Sequence, residues 1–568
     1  MLMVAITSHF VDNDFVYHED LLSFRHVPTS HTGKNLAAHV YGILHEFNIH
    51  TKLFCITTDS ASNNGEMMKE LSKLLRKKDS IKWNGLTHHI RCLAHVINLA
   101  VKAFLLNLKI APLSEEHHWI ANRETSNDDD ERDDGEPTSD DDLDDDVSSI
   151  DSNSDNDDDI DDDDKEFDVE NTQDFKTVLH KVRTISKAAT VTQKRILSFN
   201  SYCQVAKLKS LRPIRDHAIR WSATFNMLER ALYLKPAIDM WTRSEEKYEK
   251  LRMNEREWEM VEFLVRFLYS FMVASTTVQA TKSPSLADTW VVYEELFDSL
   301  DDAKDALNGM TNLPDWLREV QSAIEATWKK LRKYYDKSAK PFAYIDATIL
   351  HPALKNRFFK SASYSTDLID EYTNASQLRF QKQYNPPNRV TRRPLPCGKR
   401  RRPAESDSES SDGADYNEFT DYIAKRRDKS VTNMLSWWKN AQAMYPKLSK
   451  MARDVMAVPA TGAGVEREFS ISGRVVTKQR NSLKPSTICD LMQYKRWVVK
   501  HGITFPVPEE ETDIEDEGTE KELDGDLEEY VSDEEDDMSL SEWVKNWEKK
   551  EKEKEKLSRR LTRLARAR

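Results

Sequence analysis

The first 110 residues alternate between strand-like and helix-like patterns of apolar positions. Residues 1–10 are mostly apolar, and a second apolar stretch follows the turn at residues 12–14, so the two predict a β-hairpin. A short apolar run that ends just before Asp59 predicts a buried strand. Helical spacing occupies residues 35–47, 63–75 and 86–106. This order predicts an α/β unit, in which helices cover a sheet.

The rest of the chain is predicted to be helical, with polar interruptions. From about residue 175 to 374 the apolar spacing is almost wholly helical, which predicts an all-α region. Residues 124–170 have too few apolar side chains to offset chain entropy and are expected to be disordered. Proline, arginine and serine dominate residues 377–413, which predicts a linker. Helical spacing then resumes, most clearly over residues 447–458.

The charge of the chain is strongly segregated. The formal net charge is -15, but residues 124–170 carry about -24 and residues 509–537 about -17, so about +26 remains on the rest. A basic body indicates a phosphate-rich partner, because lysine and arginine release the counterions condensed on DNA. The acidic runs are expected to be solvated tails, or segments that compete with DNA for the basic surface.

Cysteine usage and hydropathy indicate an intracellular protein. The five cysteines are odd in number and far apart, so the sequence predicts no disulfide framework. No apolar run reaches the length of a membrane span, and the first residues lack the features of a secretory signal. We therefore expect no membrane partner. The last segment, residues 541–568, predicts an exposed charged helix or a basic nuclear-import or nucleic-acid patch.

Seven motifs along the chain carry a family resemblance. Asp59 follows an apolar strand, a place where catalytic groups are often exposed, although a lone aspartate there also serves as a helix N-cap. The motifs, in order, are HTGKNLA (31–37), TTDSASNN (57–64), RCLAHVINLA (91–100), IRWSATFNMLERA (219–231), KKLRKYY (329–335), DATILHPALK (346–355) and a long closing motif (451–483) that contains GVEREFS. Together they resemble the hAT family of DNA transposases.

The resemblance implies an α/β plus all-α fold. Its parts are an RNase H-like core, a large helical insertion that interrupts this core, and a closing segment that completes the core and dimerises. The expected segments are residues 1–113 (core), 114–172 (disordered acidic insert), 173–376 (helical insertion), 377–414 (disordered basic and serine-rich linker), 415–502 (core completion and dimerisation) and 503–568 (acidic tail and basic charged helix).

The resemblance also implies a carboxylate active site. Asp59 matches the second catalytic aspartate of the family, and Glu466 matches the catalytic glutamate. Such a transposase uses three carboxylates to hold two magnesium (or manganese) ions for strand cleavage and joining. The chain begins in what resembles the second strand of the core, so the first catalytic aspartate is expected to be missing. Asp12 and Asp14 lie in a turn and do not replace it by motif.

Candidate DNA contacts lie in three motifs. Cys92 and His95 match the CxxH element of the family, which the resemblance places near the active site and the DNA; a zinc site that adds His88 is the alternative. Trp221 matches a tryptophan that stacks on a displaced base, or it is a core residue. Arg220 would pair with a phosphate or with a core acid. Arg467 and Arg480 would face DNA.

The closing segment supplies the candidate dimerisation residues: Leu448, Met451, Val455 and Phe469. The sequence therefore predicts a nuclear, DNA-binding, dimeric protein derived from a hAT transposase, with an incomplete catalytic site. An active transposase is the alternative if the true N-terminus lies upstream. The other alternative is a non-catalytic dimerising regulatory protein.

Overall fold

The computed structural model describes most of the chain outside its two acidic runs. The described residues are 3–27, 30, 32–110, 174–216, 221–279, 284–309, 314–386, 417–475 and 483–500. The predicted acidic insert, most of the predicted linker, the acidic tail, Arg220 and Arg480 lie outside these residues.

A β-hairpin opens the described chain, as predicted. Strands β1 (Met3–Val11) and β2 (Tyr17–His26) pair antiparallel, with Met3 opposite His26. The turn is held by Asp12, whose Oδ1 accepts hydrogen bonds from the amides of Asp14 and Val16, both at 2.9 Å. Asp12 and Asp14 thus belong to the turn, where the alternation of apolar residues placed them.

A second, parallel pair of strands follows, and the sequence pattern found only one of its members. Helix α1 (Gly33–Glu46) leads to β3 (Ile56–Thr58), which pairs with β4 (His89–Arg91). The single helix predicted over residues 86–106 is wrong: α3 (Gly85–His88), β4 and α4 (Leu93–Asn107) divide it. The reason is that the chain extends for three residues to pair with β3, an effect that helical spacing on either side conceals.

The described strands form two separate pairs, and helices cover them. Helix α2 (Ser62–Asp79) packs on α1 through a cluster that includes Leu44, Met68, Leu71 and Leu75. The larger sheet expected of an RNase H-like core stays a prediction.

The middle of the chain is all helical within the described residues. The helices are α5 (Phe175–Thr190), α6 (Gln193–Val205), α7 (Trp221–Tyr233), α8 (Lys235–Trp241), α9 (Glu255–Gln279), α10 (Thr289–Asn308), α11 (Asp315–Ser338), α12 (Phe342–Leu350), α13 (Arg357–Ser361) and α14 (Thr366–Arg379). A π-helical turn, Phe380–Tyr384, extends α14. Residues 377–384 were predicted to be linker, but Phe380 is buried and holds them to the core.

Helix α9 is the one described helix that is long and apolar enough, by composition, to cross a membrane. Half of its most apolar window is buried within the protein, where α9 packs against α4 and α7. The core helix of a soluble protein has the same composition, so this helix is weak evidence for a membrane span.

The closing segment returns to the first hairpin. It contains α15 (Glu418–Ala424), α16 (Met434–Ala441), α17 (Leu448–Met456), α18 (Ala463–Val475) and α19 (Pro485–Lys500). Helices α17 and α18 contact β1, and α19 contacts β2. Phe24 of β2 and Ile488 and Met492 of α19 form a small buried cluster. The two ends of the described chain are thus packed against each other.

Candidate functional site

Asp59 lies on the turn between β3 and α2, at the carboxyl end of the parallel strand pair. Its side chain is exposed. Oδ1 accepts hydrogen bonds from the backbone amide of Ala61, at 3.1 Å, and from the side-chain amide of Asn64. Both bonds use the same carboxylate oxygen, and they stabilise the N-terminus of α2. Oδ2 has no hydrogen-bond partner among the described residues and is available to a ligand.

Residues 459–462 cross the carboxyl ends of the same strands. The hydroxyl of Thr57, on β3, donates to the carbonyl of Pro459 at 2.8 Å. The amide of Leu93, where α4 begins, donates to the carbonyl of Ala460 at 2.9 Å. These bonds bring the start of α18 beside the strand that carries Asp59.

Cys92 joins the strand ends to residues 459–462. Its amide donates to the carbonyl of Thr58 at 2.7 Å, and its Sγ accepts a hydrogen bond from the amide of Gly462 at 3.2 Å. Burial raises the pKa of the Cys92 thiol to about 11, and the carboxylates of Glu466 and Asp59 also raise it, because they repel a thiolate. Both carboxylates therefore lie within electrostatic reach of one thiol.

Glu466 is the second carboxylate of this region. It lies in the first turn of α18 with an exposed side chain, and its amide donates to the carbonyl of Gly462 at 3.1 Å. Asp59 and Glu466 are far apart in the sequence, and the chain brings both within electrostatic reach of Cys92. Their catalytic role stays a prediction.

His89 is part of the same region and was missed in the sequence. Its Nε2 lies 2.8 Å from the hydroxyl of Thr58 across the parallel strands. Burial lowers the pKa of His89 to about 3, and the nearby Arg91 lowers it further. The imidazole is therefore neutral at physiological pH. No signal in the sequence marks His89, because the strand that carries it was predicted to be helix.

The alternative of a zinc site at the CxxH element gains no support. Among the described residues, Cys92, His95 and His88 do not come together as a group able to hold a metal ion. His88 instead places Nδ1 2.8 Å from the carbonyl of Asn84. Cys92 is buried, its amide donates to Thr58 and its sulfur accepts from Gly462, and its thiol is neutral.

Three family models match the chain. The model of the hAT family C-terminal dimerisation region matches residues 418–498. The ZBED1 RNase-like domain matches residues 1–87, and the ZBED1 RNase-like helical domain matches residues 90–267. The chain therefore carries the C-terminal dimerisation region of the hAT family, together with an RNase-like domain and a helical domain that match those of ZBED1.

Relatives of this chain include transposases and proteins named for other roles. The chain is 26% identical to a putative transcriptional regulator of Talaromyces stipitatus, over 86% of its own length and 51% of that protein's length. It is 23% identical to a putative AC transposase of Zea mays, over 88% and 56% of the two lengths. A zinc finger BED domain-containing protein of Arabidopsis thaliana is 22% identical over 54% and 44%. The chain spans about half the length of the curated relatives it matches first.

The candidate DNA contacts of the hAT motifs differ in accessibility. Trp221 is only 9% exposed at the start of α7, which fits packing in the helical core. The guanidinium of Arg467 donates to both carboxylate oxygens of Glu19, each at 2.9 Å. Stacking by Trp221 and a DNA contact by Arg467 stay predictions. Stacking requires Trp221 to leave the core, whereas the Arg467 side chain is 42% exposed while it pairs with Glu19.

The dimerisation residues predicted on α17 are core residues of the single chain. Leu448, Met451 and Val455 are at most 1% exposed, and α17 packs against α12, α16 and β1. Their assignment to a dimer surface is therefore corrected. The amphipathic pattern correctly predicts that one face of α17 is buried. The pattern does not say whether the same chain or a partner buries that face. Phe469 differs, being 38% exposed with its ring 5.4 Å from that of Phe24.

The DATILHPALK motif contacts α14 and the dimerisation region. Asp346, 1% exposed, accepts two hydrogen bonds from the guanidinium of Arg379, at 2.8 and 2.5 Å. The Nζ of Lys355 donates to the carbonyls of Tyr422 and Lys425, at 2.6 and 2.8 Å. Its polar residues thus have structural partners.

Proposed function

We propose that this chain is a transposase-derived protein that dimerises, binds DNA and acts in the nucleus. The observation that supports this proposal best is that Asp59, at the carboxyl end of β3, and Glu466, in the first turn of α18, both lie within electrostatic reach of Cys92. Carboxylates at the ends of parallel strands are typical of sites that act on phosphate-containing substrates. An RNase H-like core would explain why residues so far apart in sequence lie within electrostatic reach of one thiol.

Charge supports DNA as the partner. Outside the two acidic runs the chain carries about +26, which favours binding through phosphates rather than through base edges. Fluorescence anisotropy with a labelled duplex should show affinity that falls steeply between low and physiological salt. Binding that is insensitive to salt, or absent at low salt, would contradict this part of the proposal.

The donors fit a hard divalent cation. Asp59 and Glu466 are both exposed and offer oxygen ligands, which magnesium and manganese prefer. Magnesium bound there would activate the attacking water or 3′-hydroxyl and stabilise the leaving oxygen. Burial keeps the Cys92 thiol protonated, with a pKa of about 11, so this sulfur does not compete as an anionic ligand.

The catalytic site is proposed to be incomplete within the described residues. The described part of the chain places no third histidine, cysteine or acid with Asp59 and Glu466 in a metal-holding group. With two carboxylates, the attacking and leaving oxygens are not both held in place. We therefore expect DNA binding with strand cleavage near background.

Nicking of a supercoiled plasmid in magnesium or manganese tests this proposal. The unsubstituted chain should nick at the background rate, while Glu466→Gln and Asp59→Asn leave the affinity for DNA nearly unchanged. Asp367→Asn, an exposed aspartate in the first turn of α14, is the matched control. Robust nicking that is lost in Asp59→Asn but kept in Asp367→Asn would show an active transposase whose third ligand lies outside the described residues.

A further inference from the structure

A second group of metal-binding side chains lies at the other end of α2. His45, in the last turn of α1, His50, in a short 3-10 turn (His50–Lys52), and Asp79, the last residue of α2, place one ligand atom each within 4.8 Å of one another. The Nε2 of His45 lies 3.1 Å from Oδ2 of Asp79. Helix α2 has 18 residues, so the group lies roughly 27 Å along the helix from the turn that holds Asp59.

The spacing of His45 and Asp79 is that of neighbouring ligands in a first coordination shell. In a tetrahedral site with metal–ligand bonds of about 2.0–2.1 Å, neighbouring ligand atoms are about 3.3 Å apart, close to the His45–Asp79 distance. The hydroxyl of Tyr41 donates to Oδ1 of Asp79 at 3.2 Å, which fixes the carboxylate through the oxygen that faces away from His45. Outer partners of this kind are a regular feature of metal sites.

The environment of His50 is not explained by the ion pair between His45 and Asp79. Its Nδ1 is buried and has no hydrogen-bond partner among the described residues. Its ring stacks on that of His45, with centroids 4.0 Å apart and planes 12° apart. A buried nitrogen without a partner costs free energy, and a bound cation would remove this cost. Because a metal–nitrogen bond lies in the plane of the ring, binding requires the stacked rings to tilt apart.

We propose that His45, His50 and Asp79 form a zinc site that clamps α1 to α2. Two imidazoles and one carboxylate suit zinc better than magnesium or calcium, which prefer oxygen ligands throughout. Three protein ligands leave the fourth position to water. The clamp fixes the carboxyl end of the helix whose other end begins beside Asp59, and so stabilises the direction in which that helix leaves the candidate active site.

Calorimetric titration of the untagged, EDTA-treated full chain with zinc chloride tests the site. Excess magnesium in the buffer occupies sites made of carboxylates alone, including those in the acidic runs. One zinc ion should bind, and the thermal unfolding temperature should rise. Cobalt bound in place of zinc should absorb in the visible without a thiolate charge-transfer band, because no cysteine is among the ligands.

Single substitutions decide which residues hold the ion. His45→Gln and His50→Gln should each weaken zinc binding by at least about 10-fold, and Tyr41→Phe by about 10-fold through loss of the outer hydrogen bond. His39→Gln, on the same helix but outside the group, is the matched control and should bind like the unsubstituted chain.

Three results would overturn the proposal. They are the absence of zinc binding, binding that is equally tight in both histidine variants, and a cobalt spectrum dominated by thiolate. If a histidine variant fails to fold, the cobalt spectrum of the unsubstituted chain still decides the ligand type. Asp59→Asn should leave zinc binding intact, so failure of this site and failure of the proposed carboxylate site are distinguishable.

Discussion

At the scale of a single side chain, the protonation of His89, on the parallel strand pair of β3 and β4, is linked to the stability of the fold. The imidazole is 7% exposed and contacts the hydroxyl of Thr58 across the two strands. Burial lowers its pKa from 6.5 in the unfolded chain to about 3 in the fold. Between these two values the unfolded chain binds a proton that the folded chain does not. The free energy of unfolding therefore falls as the pH falls through this window.

We expect His89→Gln to flatten the pH dependence of stability. The unsubstituted chain should lose up to about 1.4 kcal/mol per pH unit from this group between pH 6.5 and 3, in addition to the losses from other buried histidines. Chemical denaturation at a series of pH values measures the difference in slope between the two proteins. Parallel slopes would show that His89 is protonated in the fold.

Single residues also show where sequence reasoning succeeds. Asp59 was predicted at the end of a strand because an apolar run stops abruptly there, and the structure places it at that point. The contact between Cys92 and Gly462 was beyond prediction, because it joins residues from opposite ends of the chain through one sulfur and one amide. His89 was beyond prediction for a different reason: three extended residues leave no periodic signal.

At the scale of elements, local periodicity predicted the helices well, but it did not predict which elements pack against them. Helix α17 matches the predicted apolar spacing, and its apolar residues are buried as the pattern requires. What buries them was predicted to be a second copy, whereas the structure shows α12, α16 and β1. Periodicity reports that a face is removed from water, and the free energy of burial is the same for either partner.

Lys355 connects the end of α12 to the end of α15, and its substitution tests how much this contact stabilises the fold. Its side chain is 2% exposed beyond the end of α12, donates to two carbonyls at the end of α15, those of Tyr422 and Lys425, and lies over the ring of Tyr422. Lys355→Met keeps much of the apolar stem but leaves the two carbonyls without this donor. We expect a loss of about 2–4 kcal/mol in the free energy of unfolding.

Urea denaturation measures that loss. Lys360→Met, at an exposed position on α13, is the matched control and should change stability by less than about 0.5 kcal/mol. Equal effects of the two substitutions would mean that the buried ammonium contributes nothing beyond its methylene groups.

At the scale of the whole molecule, the hAT dimerisation region must offer a surface that the chain itself does not cover. Since α17 is buried within the chain, the candidates are exposed apolar side chains elsewhere in this region, and α18 and α19 carry four of them. Phe469, Leu491, Tyr494 and Trp497 are between 38% and 55% exposed. The rings of Tyr494 and Trp497 are 6.2 Å apart and nearly parallel. Exposed aromatic residues grouped in this way are typical of protein interfaces.

We expect the double substitution Leu491→Ser and Trp497→Ser to produce a folded monomer. Burial of a large apolar side chain at an interface contributes about 1.5–3 kcal/mol, so loss of two should shift the monomer–dimer equilibrium by orders of magnitude. Light scattering coupled to size exclusion gives the mass, and far-ultraviolet circular dichroism shows whether the helices persist. Leu378→Ser, at a leucine on α14 that is 49% exposed and outside the dimerisation region, controls for a general effect of removing surface apolar groups.

The double substitution Leu448→Asp and Val455→Asp should instead unfold the protein, because it places two charges in the core of the single chain. A dimer that survives the changes on α19, or a folded monomer produced by the changes on α17, would contradict this prediction. Either result would favour the apolar face of α17, which the sequence predicted, as the dimer surface.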